Sequence, residues 1–341
     1  MILPPSTLRS SQPLSSASIN ERPFIYSKIS RGVRGAGPPP QRMSDWIRSL
    51  EGTPSGHDLA LALALLAAVL HALFGALQKG KHDPWMSRSA IDICYGLIAV
   101  PFALFVVPWP EPHMWLIFAG ALVIHAGYKY LQAMTYSRGA YTVVYPVVRG
   151  TGPLFAVLGA GLWFDEHFSA GQWLGLATLL AGIFGLAAYN LRYVVVARET
   201  LVQALGLAVA TGFFVALYTT YDAYGIRATY DPFTFLAWFF MLDGFFMPIV
   251  MRRELRALTR EAALPLFRRG ILGAFVAFFS FGSILMATRL GNVGEAAVLR
   301  ETSTVFAALI GWLILKERVT RVQLGLMALI AVGAVIVQAM G

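Results

Sequence analysis

The chain is short of acid, of cysteine and of charge altogether. Its 341 residues include 18 Asp and Glu, 27 Lys and Arg, and a single cysteine, Cys94. Charged residues make up 13% of it and hydrophobic residues 57%, where soluble proteins average roughly 25% and 45–50%. So few charges do not solvate a surface on all sides, which excludes an ordinary soluble globular protein. The 13% of aromatic residues exclude an intrinsically disordered chain as well. One cysteine allows no intrachain disulfide and no thiolate metal cluster. An isoelectric point near 9.8 raises the question of nucleic acid, but that reading needs a basic face on a folded domain, and here the basic residues punctuate apolar runs. What the chain has in abundance is apolar length, with a mean hydropathy of +0.62. The composition is that of a polytopic membrane protein, and its organisation follows from where the polar breaks fall.

Residues 1–57 are rich in Ser, Pro, Gly and Arg and carry no sustained apolar period. They read as a disordered N-terminal extension, with Met43 an alternative start, and lack the apolar core of a secretory signal. From Asp58 onward, ten apolar stretches of about twenty residues recur, each long enough to cross a hydrocarbon core as a helix. They run 59–78, 89–109, 114–135, 141–164, 170–190, 200–222, 233–251, 266–288, 295–315 and 322–340. Strands of a membrane barrel would alternate polarity at every second residue, which these do not. The longest connection, 252–265, places Leu255, Leu258 and Ala262 on one helical face opposite its arginines, and reads as a surface helix. Fifteen Lys and Arg lie in or beside the connections after the odd-numbered spans, against two after the even-numbered ones. The positive-inside rule then places the odd connections in the cytoplasm and both termini outside.

A shift of 151 residues superposes Arg149 on Arg300, Thr151 on Thr302, Phe155 on Phe306, Glu166 on Glu317, Gln172 on Gln323 and Gly182 on Gly333. The chain is therefore expected to hold two copies of a five-span unit, over 58–192 and 199–341. Five is odd, so the second copy enters the membrane from the opposite side. Inverted repeats of this kind are a hallmark of secondary transporters. The expected fold is all-α: ten transmembrane helices as two inverted five-helix repeats.

These residues carry a family resemblance. Each repeat holds a small-residue helix ending in Glu, a short polar turn and a Gly-rich helix, as in "PLFAVLGAGLWFDEHFSAGQWLG" and "STVFAALIGWLILKERVTRVQLG". "HALFGALQK" in the first span, "YPVVRG" and "LRETS" are similar to further motifs of one branch, although Phe74 and Gly75 replace a Trp and an Asn. The chain resembles the ten-helix EamA-type transporters of the drug/metabolite transporter superfamily over residues 59–340. The resemblance implies the two-repeat fold and transport, and it leaves the substrate open.

A charge in mid-bilayer costs about 2.5–3.5 kcal/mol on insertion scales, so each one asks for a reason. Arg149 and Arg300 are repeat-related and deep. Tyr141, Tyr145 and Arg149 form one stripe, as do Asn292, Ala296 and Arg300, while His125, Tyr128, Lys129 and Gln132 share a face of span 3 and His71, Gly75 and Gln78 a face of span 1. These stripes are expected to line a central substrate pocket of Arg149, Arg300, Tyr145, Tyr141, His71, His125, Tyr128 and Lys129, with the paired guanidiniums holding a carboxylate or phosphate. The competing reading pairs each cation with an acid: Arg149 or Arg300 with Glu301, and Lys129 with Asp222. Glu301, Glu295 and Asp222 are the candidates for ion pairing or proton coupling. Asp92 and Glu295, near span ends, are expected to reach the interface. Glu166 and Glu317 are expected to organise the turns that follow them. Pro146, Gly152 and Pro153 mark a kink in span 4.

The expectation is a secondary active carrier, an exporter of a small polar, zwitterionic or anionic metabolite, working by alternating access as a monomer in the cytoplasmic membrane. The alternatives are a carrier of nucleotide- or lipid-linked substrates and an exporter of cationic drugs. No His-Glu-x-x-His, Gly-x-Ser-x-Gly or Walker-type sequence supports an enzyme or a pump. No cofactor, metal or nucleic acid is expected; the partners are the substrate, membrane lipid and, as coupling ion, protons.

Overall fold

The computed structural model describes residues 42–78, 83–138, 141–193, 201–313 and 320–341, and among these it is helical and strand-free. A short helix α1 (Arg42–Leu50) leads into α2 (Pro54–Gln78), followed by α3 (Pro84–Phe105), α4 (Met114–Arg138), α5 (Tyr141–Phe164) and α6 (Ala170–Tyr193). The second half contains α7 (Leu201–Ala228), α8 (Pro232–Asp243), α9 (Phe246–Val250), α10 (Arg252–Ala257), α11 (Arg260–Leu290), α12 (Val293–Arg300), α13 (Ser303–Leu313) and α14 (Arg321–Ala339). Nine stretches of the described residues are long and apolar enough to cross a membrane, one of them formed by α8 and α9 together. Backbone polar groups have no other partner in lipid, so helices are the necessary form of such runs.

The packing of these helices repeats across the two halves. α4 packs on α7 as α11 packs on α2, and α5 packs on α7 as α12 and α13 pack on α2. α6 lies against α14, α5 against α12, and α3 against α8, each pairing a helix with its own counterpart. Exchanging the halves returns the same contacts, which is the signature of a pseudo-two-fold axis relating two five-helix repeats. The α6–α14 crossing is glycine-lined. A Cβ at Gly175 would lie 2.7 Å from the Val337 nitrogen and 2.8 Å from the Gly333 oxygen, and one at Gly333 would strike the backbone of Leu179. Small residues here let backbones meet, the main attraction available between helices in lipid. Both helices start with the same device. Ser169 and Gln172 exchange side-chain and backbone hydrogen bonds of 2.9 and 3.1 Å, and Thr320 and Gln323 do so at 3.0 and 3.3 Å.

Three expectations are corrected. Residues 42–57, assigned from composition to a disordered extension, contain α1 and the first turn of α2; residues 1–41 lie outside the described residues. The surface helix expected over 252–265 is only the six-residue α10, because Thr259 caps Arg260 into the first turns of α11. The single helix expected over 295–315 is broken at Glu301 and Thr302 into α12 and α13. The hydroxyl of Thr302 donates 2.7 Å to the Leu299 carbonyl, a local bond that competes with helical continuation. α5 holds Pro146 and Pro153 inside it and runs as one helix from Tyr141 to Phe164.

Candidate functional site

The discontinuity between α12 and α13 faces α5, and there the two repeat-related arginines meet. Arg149 and Arg300 are each 4% exposed and Glu301 is fully buried. Arg149 Nη1 donates 3.2 Å to Glu301 Oε1, while Arg300 Nε stands 3.6 Å from the same oxygen. Arg300 Nη2 reaches Thr219 Oγ1 at 3.4 Å. The guanidinium of Arg149 lies 5.4 Å from the ring centre of Tyr145, and that of Arg300 6.0 Å from Tyr218, within range for cation–π attraction. One carboxylate between two guanidiniums leaves one positive charge in excess. Arg300 Nε, Glu301 Oε2, Ser303 Oγ and Thr304 Oγ1 are buried and make no hydrogen bond among the described residues. Each such atom costs about 1–3 kcal/mol when left unmatched, and here they are gathered within five consecutive residues.

A second buried cluster is closed. Lys129 Nζ donates to Asp92 Oδ2 at 2.6 Å, Asp243 Oδ2 at 2.8 Å, the Asp243 carbonyl at 3.0 Å and Tyr95 Oη at 3.0 Å. Tyr95 donates its hydroxyl to Asp243, and Arg88 Nε is 2.8 Å from Asp92 Oδ1. Two cations face two carboxylates across α3, α4 and α8. The expected pairing of Lys129 with Asp222 is thereby corrected, and so is the expectation that Asp92 reaches the interface, since its side chain is fully buried in this network. With its donors committed, Lys129 ties the first repeat to the second rather than standing open to a ligand. Asp243 stands out in the sequence as a charge within span 7, but Arg88 and Tyr95 escaped the sequence reading; the four-residue spacing of Arg88 and Asp92 on one helix face was the signal for this network.

Asp222 instead meets His125, whose Nε2 is 2.7 Å from its Oδ2. The imidazole is boxed by Tyr218 at 4.7 Å, Phe239 at 4.8 Å and Phe281 at 5.6 Å between ring centres. Tyr128 is buried 4.9 Å from Tyr218 and accepts a 2.6 Å hydrogen bond from Gln132. His71, half-buried beside Phe74, lies in the field of Arg149, Arg300 and Arg88. Tyr141 opens α5, but its side chain lies outside the described residues.

Glu295 belongs to another part of the molecule. It accepts a 2.9 Å hydrogen bond from Gln172 at the start of α6 and is 4% exposed, so it does not reach the interface as expected. Glu166 does more than organise the turn after α5. Asp165 adopts a left-handed φ of 59°, and the Glu166 carboxylate accepts from the backbone N–H groups of Val293 at 2.9 Å and Gly294 at 3.0 Å. It therefore caps the start of α12 from the other repeat and places negative charge at the helix N-terminus, where the macrodipole favours it. Glu317 lies outside the described residues.

A polytopic helical bundle of two repeats, with charged residues buried where the repeats meet, defines the class of a membrane transporter. A family model described as the EamA-like transporter family matches residues 58–188 and 203–338, and the chain belongs to that family. It is thus a multi-pass membrane protein of a transport family and not of an enzyme family. The chain is also similar to a solved structure described only as the crystal structure of a protein, at 16% identity and a TM-score of 0.66 over 84% of this chain and 99% of that one. That likeness concerns the fold alone.

Proposed function

We propose that this transporter is a secondary active carrier that exports a small metabolite bearing a carboxylate or phosphate, anionic or zwitterionic, across the cytoplasmic membrane. The observation that carries this reading is the excess positive charge at the helix break, where Arg149 and Arg300 share the single carboxylate of Glu301. A planar guanidinium fork matches a carboxylate or phosphate, and a desolvated cation with only part of its charge neutralised attracts an anion strongly. Tyr145, Tyr128, Tyr218 and His71 form the surrounding wall.

The excess of Lys and Arg after the odd-numbered spans supports an orientation with those connections in the cytoplasm. Alternating access is read as rocking of one repeat against the other about the arginine pair. Both repeats reside in one chain, so the axis needs no second copy and the carrier functions as a monomer. The net positive charge disfavours export of cationic drugs, and nothing in the site calls for a nucleotide- or lipid-linked substrate.

The test is transport in proteoliposomes, with substrates first chosen by thermal stabilisation of the purified chain among organic acids, amino acids, phosphorylated metabolites and amines. Arg149→Ala and Arg300→Ala should each abolish transport of the stabilising anion while the protein remains folded in the membrane. Full activity in both variants would overturn the assignment, and stabilisation by amines alone would redirect it to a cation site at Glu301.

A further inference from the structure

The charges of the three buried clusters are unequal in a way that identifies a second ligand. In the network of Arg88, Asp92, Lys129 and Asp243, cations and carboxylates balance. The cluster of Arg149, Arg300 and Glu301 has one positive charge too many. The contact of Asp222 with His125 has one negative charge too many when the imidazole is neutral and none when it is protonated. The last two excesses compensate each other, and Asp222 lies within electrostatic reach of Arg300. An anion seated on the arginines removes that compensation and leaves Asp222 as an unbalanced charge among aromatic rings, a state that burial penalises heavily. A proton on the pair restores neutrality.

We propose that His125 and Asp222 form the carrier's proton site, and that one proton enters it for each monoanion bound by Arg149 and Arg300. This rests on the reading of the arginine pair as an anion site. The proton adds to the free imidazole nitrogen or is shared along the 2.7 Å contact, turning a net negative pair into a neutral one, so that anion and proton travel as an electroneutral unit. The site is built for that exchange. Asp222 is fully buried, its Oδ1 has no hydrogen-bond partner among the described residues, and the contact joins α4 of one repeat to α7 of the other, a surface that shifts when the repeats rock.

The groups that act on the pair come from every neighbouring helix. Tyr128 and the committed Lys129 share α4 with His125, and Tyr218 and Tyr221 share α7 with Asp222. Asp243 faces it from α8 and Arg300 from α12, while α11 presents Phe281. Through α5, Arg149 acts by way of Glu301, and α3 acts by way of Lys129. His71 and Glu301 are the rival proton acceptors, because both sit with the arginines themselves.

The experiment uses the full chain in lipid nanodiscs and titrates acetate, lactate and benzoate, which stay monoanionic over about pH 6–8.5, the range in which a histidine responds. Affinity is read from thermal stabilisation, and proton uptake from the dependence of the binding heat on the ionisation enthalpy of the buffer. Affinity should strengthen as the pH falls, by up to about tenfold per pH unit, with one proton taken up per anion. Asp222→Asn and His125→Gln should still bind the anion and lose both the pH dependence and the proton uptake. Should either dyad variant fail to fold, the other variant and the proton count of the wild type decide the matter. Anion binding without proton uptake in the wild type would overturn the proton site and leave the anion site standing. Retention of the pH dependence and of the proton uptake in both dyad variants would overturn it equally. Stabilisation by none of the three acids would overturn both readings.

Discussion

The two helices that carry the arginines share a register and end differently. Arg149 is followed by Gly150, Thr151, Gly152 and Pro153, and α5 continues to Phe164; Arg300 is followed by Glu301, Thr302, Ser303 and Thr304, and the helix stops. Two prolines lie inside the first and none in the second. Yet the first is continuous and the second breaks, although Thr151 and Thr302 each donate a side-chain hydrogen bond to the carbonyl three residues back, at 3.3 and 2.7 Å. The single carboxylate of the site also comes from one side only, since Gly150 occupies the position of Glu301. Symmetry thus supplies two cations, and its violation at one position supplies the charge imbalance on which the functional reading depends.

The largest expected effect comes from removing either symmetric member. Arg149→Ala and Arg300→Ala should each lower transport of an anionic substrate at least about 100-fold, the scale set by losing a buried charge-assisted contact of about 3 kcal/mol. A large loss in one and none in the other, measured as initial uptake into proteoliposomes, would break the equivalence of the two helices.

Removing the asymmetric member sharpens the comparison. Glu301→Gln strands two buried cations and should lower stability by about 3–5 kcal/mol, seen as a depressed Tm of the purified protein. Anions should recover part of that loss, more for inorganic phosphate than for a monocarboxylate. An unchanged Tm with unchanged anion response would mean that Glu301 takes no part in the cluster's charge balance.

At the axis itself, Gly333→Ala drives a methyl group into the backbone of Leu179 and should cost about 1–3 kcal/mol. Gly325, in the same helix, has nothing within 4 Å of a built Cβ; Gly325→Ala should change stability by less than about 1 kcal/mol, in the stabilising direction. Parallel thermal melts of the two variants separate the interrepeat contact from helix propensity. A small loss is expected at the cap: Glu166→Ala leaves the Val293 and Gly294 N–H groups unmatched, for about 1 kcal/mol. A loss as large as that of Gly333→Ala would assign Glu166 a role beyond capping.

Much of the fold was legible in the sequence because lipid enforces a simple code. Apolar runs about as long as a bilayer is thick mark helices, and the bounds of α5 at Tyr141 and Phe164 fall where hydropathy places them. The 151-residue shift revealed the repeat because both copies keep the same polar punctuation, down to the caps at Ser169 and Thr320. The break at Glu301 was not legible, since helix propensity and hydropathy are nearly indifferent to one hydroxyl bonding backwards. The approach of Arg149 and Arg300 followed from symmetry, but the partners of Lys129 and Asp222 did not. Which acid faces which base depends on how α3, α4, α7 and α8 rotate against one another, and span-level reading carries no such angle. The cap that Glu166 forms on α12 was hidden for a related reason, because its partners lie 127 and 128 residues away in the chain.

The central claim is that Arg149 and Arg300 together hold an anion, and the most direct test is to locate one. A crystal structure of the full chain with bromoacetate, recorded at the bromine edge, reads the position of a carboxylate without reliance on transport. The account predicts an anomalous peak between α5 and the α12–α13 break, with the carboxylate within about 3 Å of guanidinium nitrogens from both arginines. A peak elsewhere in the bundle, with Arg149 and Arg300 still closed on Glu301, would contradict it.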